Sequence, residues 1–267
     1  MLLKASSIKG LPIEARDGQV GSVHDLLFEV DCWRVRWLAV DTGFWLFGRK
    51  VLLPVSHLGS LGVGASSVPV DLSRDQVEDS PGSGIDLPVS RRMESSIYGH
   101  YGWAPYWPAG AGAAFMSPLA APAPLAPAAG MPGTPDAAAA GAPAAGPAGD
   151  GDGSEGDPHL RSAREVTGYA IQCRDDEVGH VEDLLVDGER WAIRYLIVDT
   201  RNWWPGRKVL VAPGWIEGIA WAERAVRVAR TCGEIKAAPE YDPTRPVDRT
   251  IDADLRRGGR DPYGAEF

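Results

Sequence analysis

Residues 10–52 read GLPIEARDGQVGSVHDLLFEVDCWRVRWLAVDTGFWLFGRKVL, and residues 168–210 read GYAIQCRDDEVGHVEDLLVDGERWAIRYLIVDTRNWWPGRKVL. The two align without a gap at a constant offset of 158, with 22 identities in 43 positions. The same offset carries Val70 onto Val228, Pro81 onto Pro239, Pro88 onto Pro246 and Arg91 onto Arg249, so the repeat unit spans roughly 95 residues. A unit of that size buries a viable core, and a 267-residue chain holds two of them.

The punctuation inside each copy is that of a small all-β unit. Asp17-Gly18 sits between apolar-rich segments, a strong hairpin signal, and the second copy has the weaker Asp175-Asp176 there. WRVRWLAVDT and WAIRYLIVDT follow, with Val35, Trp37 and Ala39 on one face and Leu38 and Val40 on the other. Apolar residues on both faces predict a strand covered on both sides, as in a small barrel filled with side chains. RKVLLPV and RKVLVAP predict the next strand, SSVPVDL and AVRVAR the last. The polar SRDQVEDS and the stretch Asp252 to Arg256 predict short helical or irregular additions. Gly21 and Gly179, inside strands, predict a bulge or barrel bend.

Between the copies, residues 104–158 carry no lysine or arginine and are dominated by alanine, proline and glycine. This segment has too few large apolar residues to offset the entropy of ordering, and predicts a disordered linker spanning about 40 Å. The division is therefore 1–103, 104–158 and 159–267, with two units expected to move independently. Pairing of the two copies with each other, the intramolecular counterpart of a homodimer, is the alternative arrangement.

Composition narrows the function. Net charge is −9, divided as −2, −5 and −2 over the three regions, so neither copy is a basic module and no nucleic acid is expected. No apolar run approaches the ~20 residues of a membrane-spanning helix, and no signal-peptide stretch opens the chain; a cytoplasmic location is expected. Cys32, Cys173 and Cys232 fit no disulfide framework or Cys-x-x-Cys spacing. His24, His57, His100, His159 and His180 form no metal-binding spacing, and His24 and His180 are not histidines in the opposite copy. No metal, cofactor or catalytic residue is expected.

Candidate binding residues gather around one strand–loop–strand connection in each copy: Asp41, Trp45, Arg49 and Lys50, and Asp199, Trp203, Trp204, Arg207 and Lys208. Arginine beside an exposed tryptophan suits a protein interface, whereas an ion pair closing the loop, with Thr42 or Thr200 bonding the backbone, is the structural alternative. The aromatic strip from Tyr98 to Trp107 ends the first copy and is expected as an extended segment, packed on its own domain or on a partner.

The Val-Gly-x-Val-x-Asp-Leu-Leu run, followed by Val-Asp-Thr-x-x-Trp-x-x-Gly-Arg-Lys-Val-Leu, resembles the PRC-barrel family over about 200 residues, both copies included. That family is similar in fold to the cytoplasmic domain of the photosynthetic reaction centre H subunit and to the C-terminal domain of the bacterial ribosome maturation factor. The segments from Ser80 to Trp103 and from Ala238 onward look like the extension after the barrel in bacterial tandem members. The resemblance implies two small PRC-type β-barrels that bind proteins without catalysis: an adaptor or scaffold for an unidentified, oligomeric or membrane-associated protein, or a homo-oligomer. It also leaves open an H-subunit-like role in photosynthetic electron transfer or its assembly, and protein binding of the ribosome-maturation kind.

Overall fold

The computed structural model describes residues 1–43, 49–62, 64–80, 91–107, 160–200, 207–244 and 247. The expected linker lies outside the described residues from position 108 to its end, as does Asp252 to Arg256.

The first copy runs β1 (Leu2–Lys4), α1 (Ala5–Ile8), β2 (Pro12–Ala15), β3 (Gly18–Glu29), β4 (Arg34–Asp41), β5 (Lys50–Pro54), β6 (Val68–Pro69), α2 (Arg74–Glu78) and α3 (Arg91–Tyr101). β2, β3, β4 and β5 form an antiparallel meander, and β6 returns parallel to β2. The second copy repeats this with β7 (Leu160–Ser162), α4 (Ala163–Val166), β8 (Ala170–Gln172), β9 (Glu177–Asp187), β10 (Ala192–Asp199) and β11 (Lys208–Val211). β12 (Ile216–Ala220), β13 (Ala225–Val228) and α5 (Cys232–Lys236) complete it, with β13 parallel to β8. The protein is thus mainly β, in strongly curled sheets. The helices α2 and α5 begin with full capping boxes, Ser73 with Gln76 and Thr231 with Glu234, which fix their starts.

In place of two independently moving units, the strands of both copies join one 13-stranded sheet. β4 meets β10 at Arg34 and Ala192, equivalent positions of the repeat, so an approximate two-fold axis passes between them. Two hydrogen bonds mirror each other across it: Val35 N donates to Trp191 O and Ile193 N to Trp33 O, both at 2.8 Å. Trp33 and Trp191 hold left-handed backbone, φ 53° and 52°, which ends the preceding hairpin and starts these strands. Their indoles, 3% and 4% exposed, are packing residues in the main core.

The first strands are exchanged. β1 pairs with β9 of the other copy, and β7 pairs with β3 at equivalent positions: Leu2 faces Asp187 as Leu160 faces Glu29. Each half of the sheet is thereby completed by three residues of the other half.

Each long strand has bulges. The register between β2 and β3 slips at Gly21, and that between β8 and β9 slips over the residues containing Gly179. A Cβ on Gly21 would stand 2.3 Å from the Asp41 carbonyl oxygen, and one on Gly179 1.9 Å from that of Asp199. These glycines let the strand close on its neighbour. A further slip between Leu27–Trp37 and Phe28–Val35 puts Val35 in the main core with Leu38 and Val40, not with Trp37 and Ala39 as strict alternation predicts.

Trp37, Ala39, Leu27 and Leu52 form a second apolar cluster, outside the main core, with Ile97 and Tyr98 of α3. The aromatic strip therefore differs from the expected extended form: Tyr98 to Tyr101 belong to a helix that packs on its own copy.

Candidate functional site

The expected rim residues are placed as follows. Asp41 faces Lys50 and Asp199 faces Lys208 where the strands enter each loop. Thr42 Oγ1 donates to Arg49 O at 2.5 Å and Thr200 Oγ1 to Arg207 O at 2.9 Å, so the two connections are closed in the same way. Asp41 Oδ1 accepts from Gly43 N at 2.8 Å, an Asx turn that starts the loop. Arg49 reaches away from the loop: its guanidinium donates to the carbonyls of Glu78 and Ser80, where α2 ends. Lys208 pairs with Glu182 of β9 at 2.6 Å. Trp45, Trp203 and Trp204 lie outside the described residues.

A polar cluster that the spacing of residues did not reveal lies on the approximate two-fold axis. Asp25 and Asp183, from the Val-x-Asp-Leu-Leu of each copy, are 4% and 6% exposed. Asp183 accepts from Ser6 Oγ at 2.5 Å and Ser6 N at 3.2 Å; Asp25 accepts from Ser162 Oγ and, at 3.2 Å, from Arg164 N. Each carboxylate therefore caps the short helix that follows the exchanged strand of the opposite copy. Burial pushes the Asp25 carboxyl above its ordinary range, against the hydrogen bonds it accepts. Between the two caps is an open cleft of about 170 Å³, lined also by Lys9, Thr167 and Glu182.

At the edge of that cleft the copies differ. His24 stands where the second copy has Glu182, and its Nε2 lies 3.2 Å from Lys50 Nζ and 3.4 Å from Arg164 Nη1. Burial, with the charges of Lys50 and Arg164, holds this imidazole below its usual pKa.

The aromatic residues after α3 pack inward. Trp37 Nε1 donates to the buried Glu94 at 2.6 Å, Tyr106 OH donates to the same carboxylate at 3.0 Å, and Arg36 lies over the Tyr106 ring at 4.1 Å. Trp103 stacks between Tyr101 and His57, at 4.1 and 3.8 Å. These contacts account for the strip within its own copy.

Cys173, at the end of β8, and Cys232, at the start of α5, come together with Asp175. Fifty-seven residues separate Asp175 from Cys232, which is why no motif shows in the sequence. Among the described residues no helix is long and apolar enough to cross a membrane.

No curated protein matches this chain. The family comparison agrees with the elements just described, from the exchanged strand β1 into α2 of the first copy: residues 2–77 match the model of the PRC-barrel domain.

Proposed function

We propose that the chain is a non-catalytic protein-binding adaptor whose two copies are both PRC-type domains, presenting two like surfaces at one fixed mutual orientation. The observation that carries this is the matched closure of the two loops, Thr42 to Arg49 and Thr200 to Arg207, at equivalent positions on either side of the two-fold axis. Between those closures the sequence reads GFWLFG in one copy and RNWWPG in the other, rich in the aromatic residues that dominate interface energetics. Two such loops on one body favour a partner that is itself two-fold or oligomeric. The second contact is then made at high effective concentration, with little entropy lost because the two copies share a sheet.

The test compares partner capture by the intact chain, by Trp45→Ala, by Trp203→Ala with Trp204→Ala, and by all three together. The proposal expects each loop variant to weaken capture of the same partner and the combined variant to abolish it. Undiminished recovery by the combined variant, with its circular dichroism unchanged, overturns it.

A further inference from the structure

We propose that Cys173, Cys232 and Asp175 form a binding site for a thiophilic divalent cation of the zinc class. One sulfur from each cysteine and a carboxylate oxygen lie within 4.8 Å of one another. Tetrahedral coordination, with metal–sulfur bonds near 2.3 Å and metal–oxygen bonds near 2.1 Å, sets the ligands about 3.7 Å apart, so the side chains close on an ion by about 1 Å or less. The backbone fixes all three. Cys173 N donates to Asp176 O at 2.8 Å in the tight turn after β8, and Cys232 N donates to Asp175 Oδ1 at 2.7 Å. Cys173 and Cys232 are buried, 8% and 6% exposed, while Asp175 is exposed. Three protein ligands leave a fourth position for water.

The first copy shows what the second has added. Asp17 makes the same cap, accepting from Arg74 N at 2.8 Å, so the aspartate alone is a structural feature of the repeat. The cysteine positions there are Ala15 and Arg74, and the Arg74 side chain lies over the hairpin turn at Gly18. A guanidinium in place of a thiol excludes a cation from that copy. A cysteine thiol, with an ordinary pKa of about 8.5, is protonated at neutral pH without the ion. Binding exchanges two thiol protons for one cation, with no change of oxidation state.

The test is titration of the reduced full-length chain with Cd²⁺, followed by the thiolate-to-cadmium charge-transfer absorption and by proton release. The expected result is one ion and two protons per chain, with the absorption lost in Cys173→Ala and in Cys232→Ser and kept in Cys32→Ser. Cys173→Ala takes the residue that the first copy carries at Ala15, so a folded variant is expected, and circular dichroism checks it. No absorption from the reduced chain overturns the proposal, as does absorption that survives in both cysteine variants.

Discussion

Replacing Asp183 by alanine removes the acceptor that ties the first helix of one copy to the sheet of the other. Three donors lose their partner: Ser6 Oγ at 2.5 Å, Ser6 N at 3.2 Å and Leu184 N at 2.8 Å. Hydrogen bonds to a charged group contribute about 1.5–3 kcal/mol each, and removing the carboxylate returns part of that by relieving its own desolvation. Ser6 Oγ is beside the open cleft and can turn to water, whereas Leu184 N is buried. The net loss is about 2–4 kcal/mol. For a folded body of this size 1 kcal/mol moves the midpoint by about 2–4 °C, so melting falls by about 4–16 °C. Urea denaturation followed by circular dichroism supplies the free energy. The cycle with Ser6→Ala isolates the contact between copies, for which a coupling above about 0.5 kcal/mol is expected. A cost for Asp183→Ala below about 0.5 kcal/mol, with no coupling to Ser6, would refute this account of how the exchanged strand is held.

Gly179→Ala sets a Cβ 1.9 Å from the Asp199 carbonyl oxygen on a residue at φ 61°, and is expected to cost more than about 3 kcal/mol by chemical denaturation. Asp25 has its folded pKa raised above 3.8, so the native state holds the proton more tightly, and the stability this carries is present at low pH and lost as pH rises through the folded pKa. Denaturation series should therefore show Asp25→Asn costing less at neutral pH than near pH 3. His24 titrates below 6.5 in the fold, so the native state favours the neutral ring and its contribution is lost as pH falls below 6.5. His24→Glu recreates opposite Lys50 the pair that Glu182 makes with Lys208, and is expected to flatten stability just below pH 6.5, adding about 0.5 kcal/mol there. Proteolytic cleavage between residues 108 and 159 should leave the two fragments co-eluting in gel filtration, since the sheet continues from β4 to β10 and both first strands are exchanged.

The long strands were legible because their signals are local. Alternating apolar residues marked β4 and β10, the Asp-Gly turn marked the β2–β3 hairpin, and the repeat transferred each element to the second copy. The exchange was not legible, because Leu2-Leu3-Lys4 and Leu160-Arg161-Ser162 are three-residue strands whose partners lie more than a hundred residues away in the chain. Asp25 stood in the quoted motif without a role for the same reason: its partners Ser162 and Arg164 are 137 and 139 residues distant. The helix α3 was hidden by Ser95, Ser96, Gly99 and a run of aromatic residues, all poor helix formers; packing of Tyr98 and Ile97 on Trp37 and Leu52 supplies what propensity lacks. For the rim, the spacing found Thr42 and Thr200 as loop closures but assigned Arg49 to the loop, where the structure turns it toward Glu78 and Ser80.

Fusion of the two copies in one chain explains differences that a homodimer could not hold. A symmetric dimer must repeat every residue on both sides of its axis, so a His at position 24 would appear twice and the pair of Glu182 with Lys208 not at all. In this chain the same axis relates His24 to Glu182, Ala15 to Cys173 and Arg74 to Cys232, and each difference changes local charge or chemistry while the sheet hydrogen bonds around it stay matched. Several residues at the axis and at the strand closures do agree: Trp33 with Trp191, Asp25 with Asp183, Gly21 with Gly179. They are identical in the two copies, and each meets a steric or hydrogen-bonding demand that the exchange imposes or that the strand closure requires. Beside the cleft and behind the β8–β9 turn, one copy can acquire a new contact without unpairing the other.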